Sequence, residues 1–381
     1  MSMGPIHRRR PDLKALTGLR GLAAAIVALA HFKMPMPYYL NWPNAAVDLF
    51  FCLSGFTLAY AYPRNSFQFS NFMVARIARL YPLYLLTLVI TGAMWLFLAP
   101  ANYLREAAVF DLVLQLPLLN SWPIIGSGVH WNTPAWSISV EWFCYILLFP
   151  ILLQLRAPRS VAAKLLCIMG LSTAAHLMFT NYFDVRTLAV QLYVPESQWS
   201  YWVNLCRGVC GFTAGWIVFA SFEKRDGLYV FCTRYSAAIW AGFVVILTLG
   251  YYGLVASQAV LFLLPLIVLA ATAQTSASSR LLASHVLHFL GLISYSVYMV
   301  HLIVFAVFVR FAPDHWPVLT YTVLIVTTLV VSTVTYFKIE VPARDAIRRL
   351  AHRRSTAPEG TEFPEPAAVH PTAVRFPQSG C

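Results

Sequence analysis

Ten stretches of this chain are apolar for long enough, or nearly so, to cross a hydrocarbon core roughly 30 Å thick. They run over about 13–34, 45–62, 79–99, 132–154, 161–180, 202–222, 236–255, 258–274, 288–311 and 317–338. Lipid offers no water to backbone N–H and C=O groups, so such stretches must close their hydrogen bonds within themselves as α-helices. Composition agrees: 59% of the 381 residues are hydrophobic and 11% are charged, against about 25% charged in a soluble domain. The expected fold is an all-α integral membrane protein of about ten transmembrane helices. The eighth stretch is short. Residues 107–119 form a weaker eleventh, where Arg105, Glu106, Asp111 and Pro117 favour an interfacial element.

The net charge of +12 resembles a nucleic-acid signal until it is mapped onto the spans. Arg8, Arg9, Arg10, Lys14 and Arg20 open the chain, and Arg64, Arg76 and Arg79 follow the second span. Arg156, Arg159 and Lys164 follow the fourth; Lys224, Arg225 and Arg234 the sixth; Arg280 the eighth; and a run from Lys338 to Arg375 the last. Only Lys33, Arg105, Arg186 and Arg310 fall near loops of the other side, with Arg207 at the outer end of the sixth span. Cytoplasmic loops carry the excess of Lys and Arg, so both termini are expected in the cytoplasm. The charge is topological, and no nucleic-acid partner is inferred.

One membrane domain is expected over 1–345, followed by a cytoplasmic tail, 346–381, rich in Pro, Ala, Thr and Glu from residue 355 and expected to be disordered. No fixed-period repeat, matching halves or phosphate-loop motif is visible. The first span has the basic start and Ala28-Leu29-Ala30 of a cleavable signal, but Arg20 interrupts its apolar region. Six of the seven cysteines lie in or beside apolar spans. Cys206 and Cys210 are one turn apart without further ligands, so they are read as packing residues and no metal is expected.

Against this apolar background the ionisable residues stand out. Arg20 and His31 are eleven residues apart in one span, which places them about 20° apart on one face and about 16 Å apart along the axis. Ionisable groups inside a membrane mark a functional site by default; an interfacial arginine with a core histidine is the plainer alternative. Asp48 and Ser54 flank an aromatic run in the second span. Arg76 and Arg79 project to one side at the start of the third, where paired guanidiniums suit phosphates or anchor to lipid headgroups. Glu141 lies in the fourth span with Ser137 one turn before it, and a carboxylate at that depth must pair, be hydrated or take up a proton. Tyr298 and His301, three residues apart, suit either a cavity wall or helix-to-helix hydrogen bonds. Glu340 to Arg344 is read as a helix-end anchor. His130, His176, His285, His288 and His315, in loops or at span edges, are given no catalytic part.

Taken together, these stretches resemble the acyltransferase 3 family of membrane-bound O-acyltransferases. The likeness runs from Leu16-Thr17-Gly18-Leu19-Arg20-Gly21-Leu22-Ala23-Ala24 to His31, and through Asp48-Leu49-Phe50-Phe51-Cys52-Leu53-Ser54-Gly55-Phe56. It continues through Arg76-Ile77-Ala78-Arg79-Leu80-Tyr81-Pro82, Trp136 to Glu141 and Ser294 to His301, covering residues 12 to 345. Each piece alone is weak; five in order over ten spans are specific. The family's arginine-x10-histidine motif falls on Arg20 and His31, its arginine-x-x-arginine motif on Arg76 and Arg79, and its fourth-span glutamate on Glu141.

The resemblance implies transfer of an acyl group, acetyl above all, from cytoplasmic acyl-CoA to a hydroxyl of a glycan, a lipid-linked saccharide or an antibiotic. The setting is the cytoplasmic (inner) membrane of a bacterium. The implied partners are acyl-CoA, a saccharide or other hydroxyl acceptor, the bilayer and glycan-assembly proteins. Some members carry a fused esterase-like domain; none is expected from this sequence. Arg76 and Arg79, with Arg20, are expected to hold the donor, and His31 to act as general base with Glu141 orienting or charge-balancing it. A variant acylates His31 itself before relay. Asp48, Ser54, Ser137, Tyr298 and His301 are expected to line the cavity. The competing class is a transporter using His31 and Glu141 as a proton relay.

Overall fold

The computed structural model describes residues 12–32, 42–98, 106–126, 131–182, 198–311 and 317–355. Lys33, Arg105, His130, Arg186, His315, both chain ends and the expected tail from 356 onward lie outside the described residues.

Every regular element described is helical. Helices α1 (Lys14–His31), α2 (Trp42–Ala61) and α3 (Phe69–Leu98) come first, then the ten-residue α4 (Glu106–Gln115). Helix α5 (Ala135–Phe143) runs through a π turn at Cys144–Leu148 into α6 (Phe149–Gln154) as one span of 20 residues. After α7 (Val161–Tyr182) and α8 (Gln198–Lys224), helices α9 (Gly227–Arg234) and α10 (Ser236–Tyr251) meet at a bend of 72°. A 3-10 turn (Ser257–Phe262) leads to α11 (Leu264–Ala270) and α12 (Ala277–Leu282). Helices α13 (His285–Leu292) and α14 (Ser294–Phe311) meet at 70°, and α15 (Pro317–Thr335) continues through a second π turn, Tyr336–Glu340, into α16 (Val341–Ser355).

Among the described residues, seven helices are long and apolar enough to cross a membrane, and up to nine spans result if each bent pair counts as one. The shortfall from ten falls on 258–274. There the chain breaks into the 3-10 turn and the seven-residue α11, with Pro265 at the break. Proline lacks the N–H that would carry a helix across that point, and a helix of seven residues covers about 10 Å. Six of the seven residues of α11 are buried in the bundle, and Leu266 is partly buried. The third span begins at Phe69, ten residues earlier than expected, so Arg76 and Arg79 lie well inside α3 rather than at its start. The last helix runs on to Ser355, past the expected domain boundary at 345.

Small residues set the closest approaches. In lipid, helices associate through packing and hydrogen bonds, and interfaces favour residues that let backbones touch. A Cβ at Gly215 of α8 would stand 2.0 Å from the Cys52 carbonyl oxygen of α2, and one at Gly55 would stand 1.9 Å from that of Phe212. Gly18 and Gly21, which flank Arg20, press α1 against α12 and α13 in the same way: a Cβ at Gly21 would lie 2.5 Å from Gly291 N. At the end of α8, Asp226 caps α9 by accepting from Leu228 N and Tyr229 N, and it also binds Lys164 Nζ at 2.5 Å. Lys164, counted above as a loop charge, is fully buried there and also donates to Ser221.

Candidate active site

Helices α1, α2, α3, α5, α14 and α16 bring most of the singled-out polar residues into the interior of the bundle. Arg20 and His31 are both half-buried on α1. His31 Nδ1 bonds the Val27 carbonyl oxygen at 2.8 Å. A carbonyl only accepts, so Nδ1 carries a proton, and in the neutral ring Nε2 keeps the lone pair. Beside it lies His301 of α14, with ring centroids 5.0 Å apart. Nδ1 of His301 donates to the carbonyls of Tyr298, at 2.7 Å, and Val297, at 3.2 Å. Its Nε2 is buried with no hydrogen-bond partner. Both rings thus commit Nδ1 to the backbone, which leaves Nε2 as the nitrogen that accepts when the ring is neutral.

One turn back on α14, Tyr298 Oη and Ser137 Oγ of α5 are 2.6 Å apart. Glu141, one turn further along α5, accepts hydrogen bonds from Ser54 of α2 and from Tyr145, the latter at 2.5 Å. Charge-assisted bonds of this kind are about twice as strong as neutral ones, so the carboxylate is held firmly between α2 and the π turn. Glu141 thus bonds Ser54 and Tyr145, and the ring packed on His31 is that of His301.

The third group is cationic. Arg76 lies among the rings of Tyr62, Phe72 and Tyr145, each 5.7 Å from the guanidinium carbon. Arg79 sits over Tyr295, 5.3 Å from the ring centre, and forms an ion pair with Glu340. Glu340 is 1% exposed and also accepts from Ser296 Oγ at 3.0 Å. It is thus a buried partner inside the site as well as part of a helix end. Arg20 and Arg344 both lie within electrostatic reach of Arg79, and Arg20 also acts on Tyr145. A cluster of this kind is suited to a multiply charged anion.

Asp48 is held from α8. Arg207 of α8 binds it through two parallel contacts, Nε to Oδ1 and Nη2 to Oδ2, both 3.1 Å. Arg207 also donates to Asn204 Oδ1 and to the Asn44 carbonyl oxygen, and lies over the Trp136 ring. It lies in the first half of α8 and is 1% exposed. Asp48 does line a cavity, a small one of about 20 Å³ shared with Arg207, Cys52, Ser172, Cys210 and Leu264, large enough for one water molecule. The Sγ atoms of Cys206 and Cys210 are 3.8 Å apart, and no group of three or more His, Cys, Asp or Glu able to hold a metal occurs among the described residues.

Comparison with known proteins places this arrangement. A family model for the acyltransferase domain, acyltransferase 3, matches residues 13–337. The chain belongs to the acyltransferase 3 family. It is 34% identical over 177 residues to the acyltransferase MdmB of Streptomyces mycarofaciens, covering 42% of this chain and 44% of that protein. It is 41% identical over 92 residues to protein 2 in the picA locus of Rhizobium radiobacter, covering 22% of this chain and 46% of the other. The matches thus span less than half the length of either curated relative. No solved structure matches.

Sequence reasoning missed Arg207 as the partner of Asp48, Tyr145 as a ligand of Glu141, and Glu340 as the partner of Arg79. The last carried a readable signal: Glu340, Arg344 and Arg348 recur every four residues, which lines up one helical face. The other two depend on which helices meet.

Proposed function

We propose that this acyltransferase 3 protein moves an acyl group, acetyl in the first instance, from cytoplasmic acyl-CoA to a hydroxyl of a glycan or lipid-linked saccharide. The setting is the cytoplasmic membrane of a bacterium, beside glycan-assembly proteins. The observation that carries the reading is the His31 Nδ1 bond to the Val27 carbonyl, at one end of a helix whose other half presents Arg20 to the Arg76 and Arg79 cluster.

On this reading the arginines bind the donor's phosphates, and the pantetheine arm spans the roughly 16 Å from Arg20 to His31. His31 Nε2 takes the proton of the acceptor hydroxyl. The oxygen attacks the thioester carbonyl carbon, the C–S bond breaks, and the proton leaves with the CoA thiolate. Tyr298, held by Ser137, and His301 border the reacting atoms, and Glu141 fixes α5 against α2. Positioned base catalysis contributes typically 10²–10⁴-fold. Purified His31→Ala should therefore bind acetyl-CoA as the parent does and lose acyl transfer by about that factor. Transfer at the parental rate by the folded variant overturns the assignment. Label retained on the parent without acceptor would instead favour acylation of His31 itself, and substrate flux in liposomes without donor binding would favour a transporter.

A further inference from the structure

Helix α16 packs along α3, and the Arg79–Glu340 pair ties the two where α16 begins. From there Arg344 and Arg348 follow Glu340 at intervals of four, on the same helical face. Arg344 interacts electrostatically with Arg79, and Arg348 with Arg344, Arg76 and Tyr62. The Nε atoms of Arg76, Arg344 and Arg348 are buried and make no hydrogen bond. The carboxylate beside Arg344, that of Asp345, is 3.6 Å away on a half-exposed side chain, beyond hydrogen-bond length. Arginines of two packed helices therefore lie together along this seam, and folding leaves donors unused on both.

We propose that Arg344 and Arg348 bind the ribose 3′-phosphate of the donor while Arg76 and Arg79 take its diphosphate. The inference rests on the acyl-CoA reading above. A CoA thioester carries phosphate at two separated places, whereas a phosphopantetheine thioester on a carrier protein carries a single phosphodiester. Guanidinium forks match phosphate oxygens in pairs, so two separated forks select the donor that has two anionic groups. The chemistry recognised is a phosphate monoester. A lipid such as phosphatidic acid offers the same group, and the test separates the two sources.

The test measures binding of acetyl-CoA and of 3′-dephospho-acetyl-CoA to the full chain in phosphatidylcholine nanodiscs. The parent should bind acetyl-CoA at least tenfold more tightly than the dephospho compound. In Arg344→Gln/Arg348→Gln the two ligands should bind alike. Arg344→Lys/Arg348→Lys, which keeps the charge and loses the fork, should retain an intermediate preference and guards against a variant that fails to fold. Equal binding of both ligands by the parent overturns this proposal and leaves the acyl-CoA reading standing; binding of neither overturns both. If the parent shows no preference and phosphatidic acid raises its melting temperature but not that of the glutamine variant, the α16 pair is a lipid site and the proposal fails.

Discussion

At the scale of single residues, the interior is organised by which polar groups find a partner. Asp48 and Arg207 satisfy one another with two parallel contacts, so removing either leaves an uncompensated buried charge. Asp48→Ala should destabilise the protein by about 3–5 kcal/mol, read as a lowered melting temperature in detergent. Asp48→Leu/Arg207→Met should recover much of that loss, because the pair as a whole must be desolvated. If the double variant is as unstable as the single one, the pair has a role beyond mutual neutralisation. His301 is the converse case, with a buried acceptor nitrogen left open beside His31. His301→Phe removes that acceptor and fills the space; acyl transfer should fall about tenfold, the worth of one hydrogen bond, with acetyl-CoA binding unchanged. An unchanged rate would make His301 a packing residue.

Helices in this bundle are held where their backbones touch. The α2–α8 contact depends on Gly55 and Gly215, and the α1–α13 contact on Gly21 and Gly291. Gly215→Leu forces a side chain into the Cys52 carbonyl, so α2 and α8 must separate, carrying Asp48 away from Arg207. The expected result is loss of a monodisperse peak on size exclusion. Gly170 of α7 provides the control, since a Cβ there meets nothing within 4 Å; Gly170→Ala should leave the peak intact. A well-behaved Gly215→Leu would mean the two helices pack more loosely than drawn. The π turns belong to the same scale: each adds a residue to its turn. They lie just after Glu141, where Tyr145 reaches back to it, and at Glu340, where the acid meets Arg79.

For the whole molecule, orientation follows from the loops that join the spans. The turns at 156–160 and 224–226 carry basic residues and should share the cytoplasmic side with Arg76 and Arg79. In a cysteine-free background, Arg159→Cys and Arg225→Cys should resist a membrane-impermeant maleimide in intact cells and react once the membrane is opened. Labelling in intact cells would invert the assignment and place the arginine cluster away from a cytoplasmic donor. Acetyl-CoA should also raise the melting temperature of the purified chain, since a ligand at a hundred times its Kd stabilises by about 2.7 kcal/mol.

The sequence by itself determined that this chain is a helical membrane protein of the acyltransferase 3 kind. Apolar length, the placement of basic residues and the order of short motifs are local properties that survive without coordinates. It also nominated Arg20, His31, Asp48, Ser54, Arg76, Arg79, Ser137, Glu141, Tyr298 and His301, because an ionisable or hydrogen-bonding group in an apolar span is conspicuous wherever the span ends up. Only the tertiary structure decided how these residues pair. Asp48 faces Arg207 across 159 residues of sequence and Glu340 faces Arg79 across 261, and spacing along a chain carries no information about contacts between helices. The break at Pro265 was also decided in three dimensions. An apolar run reads the same whether it crosses a bilayer or folds back as a short helix inside the bundle, and only its neighbours distinguish the two.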